Sequence, residues 1–428
     1  MEDVNLISGV NSMYIYQLND KTYFFFGDKH YSRRENDCES QLNIKCDDFD
    51  LSYNKINYNG SLCMSIGSLL YTMFIYNNDH NILTDFYLES SFTKENERTA
   101  LKIGYDIMNR KKSLSNYNSD IIDHEFDSVS WMTLIEFVME PCFIMEKSKC
   151  PFFPYVRSHY VDIRSIDGGT PIDTDLFILF DLRKYFKSNV SDIESLIVFK
   201  KDYKGLLNFL IYSYKAILDA ALNTQGFDYY MQQFNNLSQY FSPKFQRFFI
   251  NKLTNFEQMA VIRNGLRMHR VAAELSRLNI GDHKLASAIK NFIYDSADKK
   301  IKNLQKHHPN GILAFFDMEW GTYDYDDWYY YMDETINEYE DELIFMGALS
   351  MDAYTLARMF LFNDSENIIV YTGSHHVERY SDFFKMYFSV LPIIETPKLP
   401  DNMCLNIIDL PKYFDINKYR TYVKNKQI

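Results

Sequence analysis

The sequence predicts an α/β fold: a central, mainly parallel sheet flanked by helices, with a helical insertion. Three observations predict it. Strand-like apolar runs alternate with helix-period segments at both ends of the chain. Two of those runs, Tyr23-Phe24-Phe25-Phe26 and Ile368-Ile369-Val370-Tyr371-Thr372, lead into a glycine and then, three residues on, a histidine. The middle of the chain repeats apolar residues at three- and four-residue spacings and has few glycines or prolines. The expected organisation is a discontinuous α/β domain over residues 1–190 and 311–428, with a helical insertion over residues 191–310.

The elements follow in order. Ser12-Met13-Tyr14-Ile15-Tyr16, a turn at Asn19-Asp20 and Thr22-Tyr23-Phe24-Phe25-Phe26 read as a hairpin. Leu62 to Tyr76 has helical periodicity. Asn81 to Leu88 reads as a strand ending at Glu89, Trp131 to Met139 as a helix, and Tyr160 to Arg164 as a short strand. The run Leu176 to Phe180 reads as a buried strand. In the middle, Leu206 to Leu222 and Phe256 to Leu278 are helical. Ile312 to Phe316 is strand-like, and Ser350 to Phe362 is a helix with Ser350 as its N-cap. Asn367 to Thr372 is a strand and Val377 to Phe388 a helix.

Composition sets limits. The 428 residues carry a net charge of −13, the wrong sign for a protein that lives on phosphate backbones, so general nucleic-acid binding is not expected. A mildly basic stretch from Lys412 to Lys426 reads as a solvated helix or tail. With 34 Phe, 34 Tyr and 3 Trp, the chain can bury enough surface to exclude disorder as its main state. The start, Met1-Glu2-Asp3-Val4, is acidic where a signal peptide is basic, and no apolar run is long enough to span a bilayer. The expectation is a soluble cytoplasmic protein without membrane insertion. Cys38, Cys46, Cys63, Cys142, Cys150 and Cys404 include no C-x-x-C pair and no zinc-like spacing, and are read as reduced thiols. Asn, Ile, Lys, Tyr and Phe are frequent while Gly and Pro are scarce, as AT-rich codons favour. That points to the genome of a large cytoplasmic DNA virus or a protist, with host cytoplasm or virion as the setting if viral.

The chemistry-bearing residues sit at strand ends, where α/β sheets bind ligands. Gly27-Asp28-Lys29-His30 and Gly373-Ser374-His375-His376 bring one histidine each, and Glu89 adds a carboxylate. Two histidines and a glutamate can hold a divalent metal (manganese, cobalt or zinc) and activate water. Without metal, the same groups can serve as base, acid and orienting carboxylate. Asp28 is placed to fix the tautomer of His30. Asp162 and Arg164 end another strand, and Arg164 can hold an anion or a developing negative charge, or pair with Asp162. Arg358, one helical turn from Tyr354, either supports the pocket or forms a surface ion pair. His375 either supports the pocket or merely flanks His376, and Glu89 taken alone is also readable as a solvated strand end.

This order of motifs resembles the superfamily of TraB/Tiki proteins, erythromycin esterase-like proteins and haem-uptake ChaN-like proteins. The matching residues are Gly27 and His30, Glu89, then Gly373 and His376; Arg263-Asn264 resembles the Arg-Asn pair of TraB-like helices. The interval from His30 to Glu89 is longer than the family pattern, and the helical middle departs from it. The resemblance implies an α/β fold with a central sheet and hydrolytic chemistry, metal-dependent in some members and metal-free in others. The expected function is therefore a hydrolase of an ester or amide in a small molecule or peptide. His30, Glu89 and His376 would activate water, and Arg164 or Arg358 would stabilise the transition state. The alternative is a non-catalytic viral structural or host-interaction protein on an enzyme-like fold, with residues 324–342, acidic and aromatic, as its protein-binding surface.

Overall fold

Strands β2 (Ser12–Leu18) and β3 (Lys21–Asp28) form the expected hairpin. Asn19 and Asp20 close it with φ of 51° and 63°. Two left-handed residues give a tight turn whose twist matches the strands it joins, and Asn and Asp tolerate that conformation best after glycine. The computed structural model describes residues 6–29, 38–50, 55–57, 63–89, 132, 135, 139, 150, 153–162, 218, 222, 243, 247, 268–307, 345, 348–396, 404–407 and 416–427. The chain divides into two compact units, residues 1–162 with 362–428, and residues 163–361.

The first unit is an α/β arrangement of mixed sheets flanked by helices. In chain order its elements are β1 (Leu6–Ser8), β2, β3, helix α1 (Cys38–Leu42), β4 (Asp48–Asp50), β5 (Lys55–Asn57), β6 (Cys63–Ser65) and helix α2 (Ile66–Asp79). Strands β7 (Thr84–Leu88) and β8 (Val156–Tyr160) follow. Six strands, counting β9 (Asn367–Gly373) and β10 (Ile394–Glu395), form one sheet in the order β10-β2-β3-β9-β7-β8. β3, β9, β7 and β8 run parallel, whereas β2 and β10 are antiparallel to their neighbours. The sheet is therefore mixed: a two-residue turn can only place β2 antiparallel to β3.

The two faces of the sheet are covered differently. On one, Phe24, Phe26, Phe86, Leu88 and Ile369 join Leu69, Leu70, Met73 and Phe74 of α2 in one buried cluster. Ser65 caps α2, its hydroxyl accepting from the Ser68 N–H at 3.2 Å. On the other face, Tyr16, Tyr23 and Phe25 pack edge-on or tilted against Phe384, and Phe25 also against Tyr380. Those two partners belong to helix α5 (Ser374–Phe383) and the π-helical turn Phe384–Phe388 that extends it. Glycine at position 27 has a steric cause here. A Cβ there would meet Ser12 Oγ at 2.2 Å and the Ser374 Cα at 2.9 Å, so only glycine lets the start of α5 cross β3.

Three strands, β1, β6 and β11 (Cys404–Asn406), make a smaller sheet in the order β11-β1-β6. The thiols expected to be reduced are paired in it: Cys38 with Cys404 and Cys46 with Cys63. Cys150 is disulfide-bonded as well, and no described cysteine is free. Spacing gives no hint of this, because pairing of β11 with β1 brings Cys404 to a residue 366 positions away. Helix α6 (Ile416–Gln427) packs on α2 and buries Arg420, whose Nε donates to Asp47 Oδ2 at 2.6 Å. The basic tail is thus a helix with one arginine turned inward.

In the second unit, helices α3 (Met268–Gly281) and α4 (His283–His307) are joined through Asp282, whose carboxylate caps α4 by accepting from the Leu285 N–H at 2.9 Å. Residues 348–361 form a further helix buried nearly all round. It begins before Ser350, so that residue lies inside the helix and is not its N-cap. The strand expected at Tyr160 to Arg164 ends instead at Tyr160 and begins at Val156. Positions 132, 135 and 139 are helical and buried, in keeping with the helix expected there, as are positions 218 and 222 within the first helical run of the middle. The strands expected at 176–180 and 312–316 lie outside the described residues. No described helix is long and apolar enough to cross a membrane.

Candidate functional site

Register brings the carboxyl ends of four parallel strands to one edge. Asp28 of β3 stands opposite Gly373 of β9, and Leu88 of β7 stands opposite both Tyr371 of β9 and Tyr160 of β8. Each ladder runs one step further: the Glu89 N–H donates to the Tyr371 carbonyl at 3.1 Å, and the Val161 N–H to the Leu88 carbonyl at 3.2 Å. Glu89 is thereby held as an extension of its strand rather than as a loose end.

Glu89 and His376 meet at this edge, both buried. Oε2 of Glu89 accepts from the Gly373 N–H at 2.6 Å, and Oε1 lies 3.4 Å from His376 Nε2. The other ring nitrogen, Nδ1, lies 3.1 Å from Nη2 of Arg379. A guanidinium only donates, so Nδ1 accepts and the proton of the neutral ring sits on Nε2, facing the Glu89 carboxylate. Sequence reasoning missed Arg379. Its signal was the three-residue interval from His376, which puts both on one face of a helix.

The remaining sequence-predicted residues divide. Gly27 serves packing, as described, and Gly373 closes β9 and precedes α5 while donating to Glu89. Asp28 is buried and accepts from the Tyr371 hydroxyl at 2.9 Å; burial first and the neighbouring carboxylate second push that phenol well above its ordinary range. Asp162 is buried just beyond β8. His375 is exposed, beside Glu378 at 3.5 Å, and turns away from the edge. Arg358 belongs to the second unit, where its Nη1 donates to Glu274 at 3.1 Å and to the Tyr354 hydroxyl at 2.9 Å. The expected i,i+4 contact forms, with Glu274 as the ionic partner. His30 and Arg164 lie outside the described residues, as does the segment 324–342.

The same edge holds buried polar atoms that the sequence did not advertise. Ser12 and Thr372 flank Gly27 in register, and the side-chain oxygens of both, with the Asn11 amide, have no partner among the described residues. Such atoms call for water or a ligand.

A second carboxylate–histidine pair stands on β7 itself. Asp85 accepts from His159 Nε2 at 2.8 Å, and from Arg157 through Nε at 2.7 Å and Nη2 at 2.8 Å. Arg157 also holds Asp364 with both terminal nitrogens and lies over the Phe362 ring. His159 stacks on Tyr87 with centroids 4.5 Å apart. Burial alone would raise the Asp85 carboxyl, but the hydrogen bonds from His159 and Arg157 outweigh it and bring it down to about 2.

A scan of protein-family models finds no match to this chain, and searches of curated proteins and of solved structures find none either.

Proposed function

We propose that the protein is a hydrolase, of the TraB/Tiki or erythromycin esterase-like type, that cleaves an ester or amide at the carboxyl edge of its six-stranded sheet. The observation that carries the reading is the buried contact between Glu89 and His376. The Gly373 N–H holds Oε2 of Glu89, and Oε1, on the side of His376, is the base that takes a proton from water. Arg379 donates to Nδ1 of His376, which directs the Nε2–H toward Glu89 Oε1, and on substrate binding that N–H turns to the oxyanion that develops on the substrate carbonyl. His30, two residues beyond Asp28, and Arg164, two beyond Asp162, stand in the proposal as the second histidine and the anion-holding arginine. The unpartnered atoms of Asn11, Ser12 and Thr372 are the hydrogen-bonding groups that would fix the substrate.

A metal on His30, Glu89 and His376 fits this arrangement less well. Ligation through Nε2 of His376 needs a proton on Nδ1, where the Arg379 guanidinium also donates. The reading is therefore metal-free chemistry. The rival, a non-catalytic interaction protein, draws on one observation: Glu89 ties β9 to β7 and has a structural task of its own.

The test is turnover of a panel of chromogenic esters and peptide amides by the chelated full chain. Glu89→Gln and His376→Ala are each expected to lower it by about 10²–10⁴-fold while the melting temperature holds. Turnover that appears only with added manganese, cobalt or zinc would replace the metal-free reading. A wild-type protein inert with every substrate and metal would leave the rival in possession.

A further inference from the structure

The three-stranded sheet is lined differently on its two faces: Ile7, Met64 and Leu405 join the main hydrophobic cluster, and the cysteines form a cluster of their own. Its strands are three residues long, and Cys38, Cys46, Cys63 and Cys404, all buried, line the second face with Leu6 and Ile44 packed against them. The four cysteines come from four separate segments: the start of α1, the residue before Asp47, and the first residues of β6 and β11. The sulfurs of Cys38, Cys46 and Cys63 lie within 4.8 Å of one another, and Cys404 is bonded to the first of them. The two disulfides therefore share one nest.

We propose that this nest is a redox-dependent metal site, which as four thiols takes up a single thiophilic divalent cation of the zinc class. The reductant is a dithiol. Each protein disulfide receives two electrons and two protons, and each dithiol leaves as its own disulfide. The cation then binds four thiolates and displaces their four protons. Geometry permits the exchange. Zinc–sulfur bonds of about 2.3 Å in a tetrahedron set the sulfurs about 3.8 Å apart. Three of the sulfurs already stand within 4.8 Å of one another, and Cys404, bonded to Cys38 but outside that group, must swing in as its bond opens. Sulfur-only ligands select zinc-class ions over magnesium or calcium. Four buried ligands with no open position make a closed, structural site. The same fold is thus cross-linked in either compartment: by disulfides where conditions oxidise, by metal where thiols stay reduced. Nothing in this argument depends on the hydrolase reading.

The test is cobalt titration of the full chain, reduced with a dithiol and freed of it without oxygen. Expected are one cobalt per chain, the visible and near-ultraviolet bands of a tetrahedral thiolate site, displacement by zinc, and no binding before reduction. Cys46→Ser and Cys404→Ser should each weaken cobalt binding about tenfold or more, since even partners that only orient a ligand count for that much. Cys150→Ser and His376→Ala should keep the spectrum. A reduced wild-type chain that takes no cobalt, or that gives bands lacking thiolate character, would overturn the proposal. So would loss of the spectrum in His376→Ala, because it would assign the ion to the sheet edge. The wild-type titration decides even if a cysteine variant fails to fold.

Discussion

Strand β7 carries two buried carboxylates, Asp85 near its amino end and Glu89 just past its carboxyl end, and each faces a histidine. The two pairs differ in how closely they are joined, 2.8 Å against 3.4 Å. Asp85 accepts three hydrogen bonds from His159 and Arg157, and Arg157 is itself pinned by Asp364. That network is closed, and it draws the carboxyl down to about 2. Glu89 has one strong bond to a backbone N–H and a long 3.4 Å approach to His376. A pair locked at 2.8 Å within a wider ionic network holds strands together, whereas a pair 3.4 Å apart at the carboxyl ends of its strands is placed to work on a ligand. Position agrees, since only the carboxyl end of a parallel sheet opens toward ligands.

The largest effects would come from breaking each pair in turn. Glu89→Gln should remove most activity, as stated above, with little change in stability. Asp85→Asn should do the reverse: about 3–5 kcal/mol less stability in chemical denaturation, because His159 and Arg157 lose their anion, with turnover per folded molecule retained. If both substitutions cost stability alone, the two pairs are alike and the comparison fails. Gly27→Ala comes next. Its Cβ has no room against Ser12 and Ser374, and we expect a loss of about 1–3 kcal/mol measured the same way.

A smaller and sharper signature lies in acid. The Asp85 carboxyl is depressed in the folded state, so its stabilising contribution is complete above the ordinary carboxylate value near 4 and fades as the pH falls toward 2. Wild type and Asp85→Asn should therefore converge in stability across that window. Curves that stay parallel would show that Asp85 does not titrate there. The smallest effect belongs to His375→Ala. Its exposed ring should change stability by no more than about 0.5 kcal/mol and leave turnover unaltered.

The sequence made much of the framework legible where local chemistry dictates it. Asn19-Asp20 announced the hairpin because few residues adopt its turn, and the run from Asn367 announced β9 because buried parallel strands are continuously apolar. Glu89 and His376 were legible as strand-end residues, but their approach depends on β9 lying between β3 and β7, which no short window encodes. Long-range pairing hid the rest. Cys404 reaches Cys38 only through β11, and Arg420 reaches Asp47 only through α6. Arg157 and Asp85 were hidden for a different reason: a charged residue inside a strand reads as solvated until its partner on the next strand is known.

The order of the six-stranded sheet also bears on how the chain is made. β3 and β7 emerge from the ribosome early, yet both border β9, which follows after the whole of the second unit. Until residues 367–373 are synthesised, two apolar strands each stand with an unpaired edge, and the sheet cannot close. The intervening unit can fold first, and the nascent first unit is left as a natural client for chaperones that shield exposed strand edges.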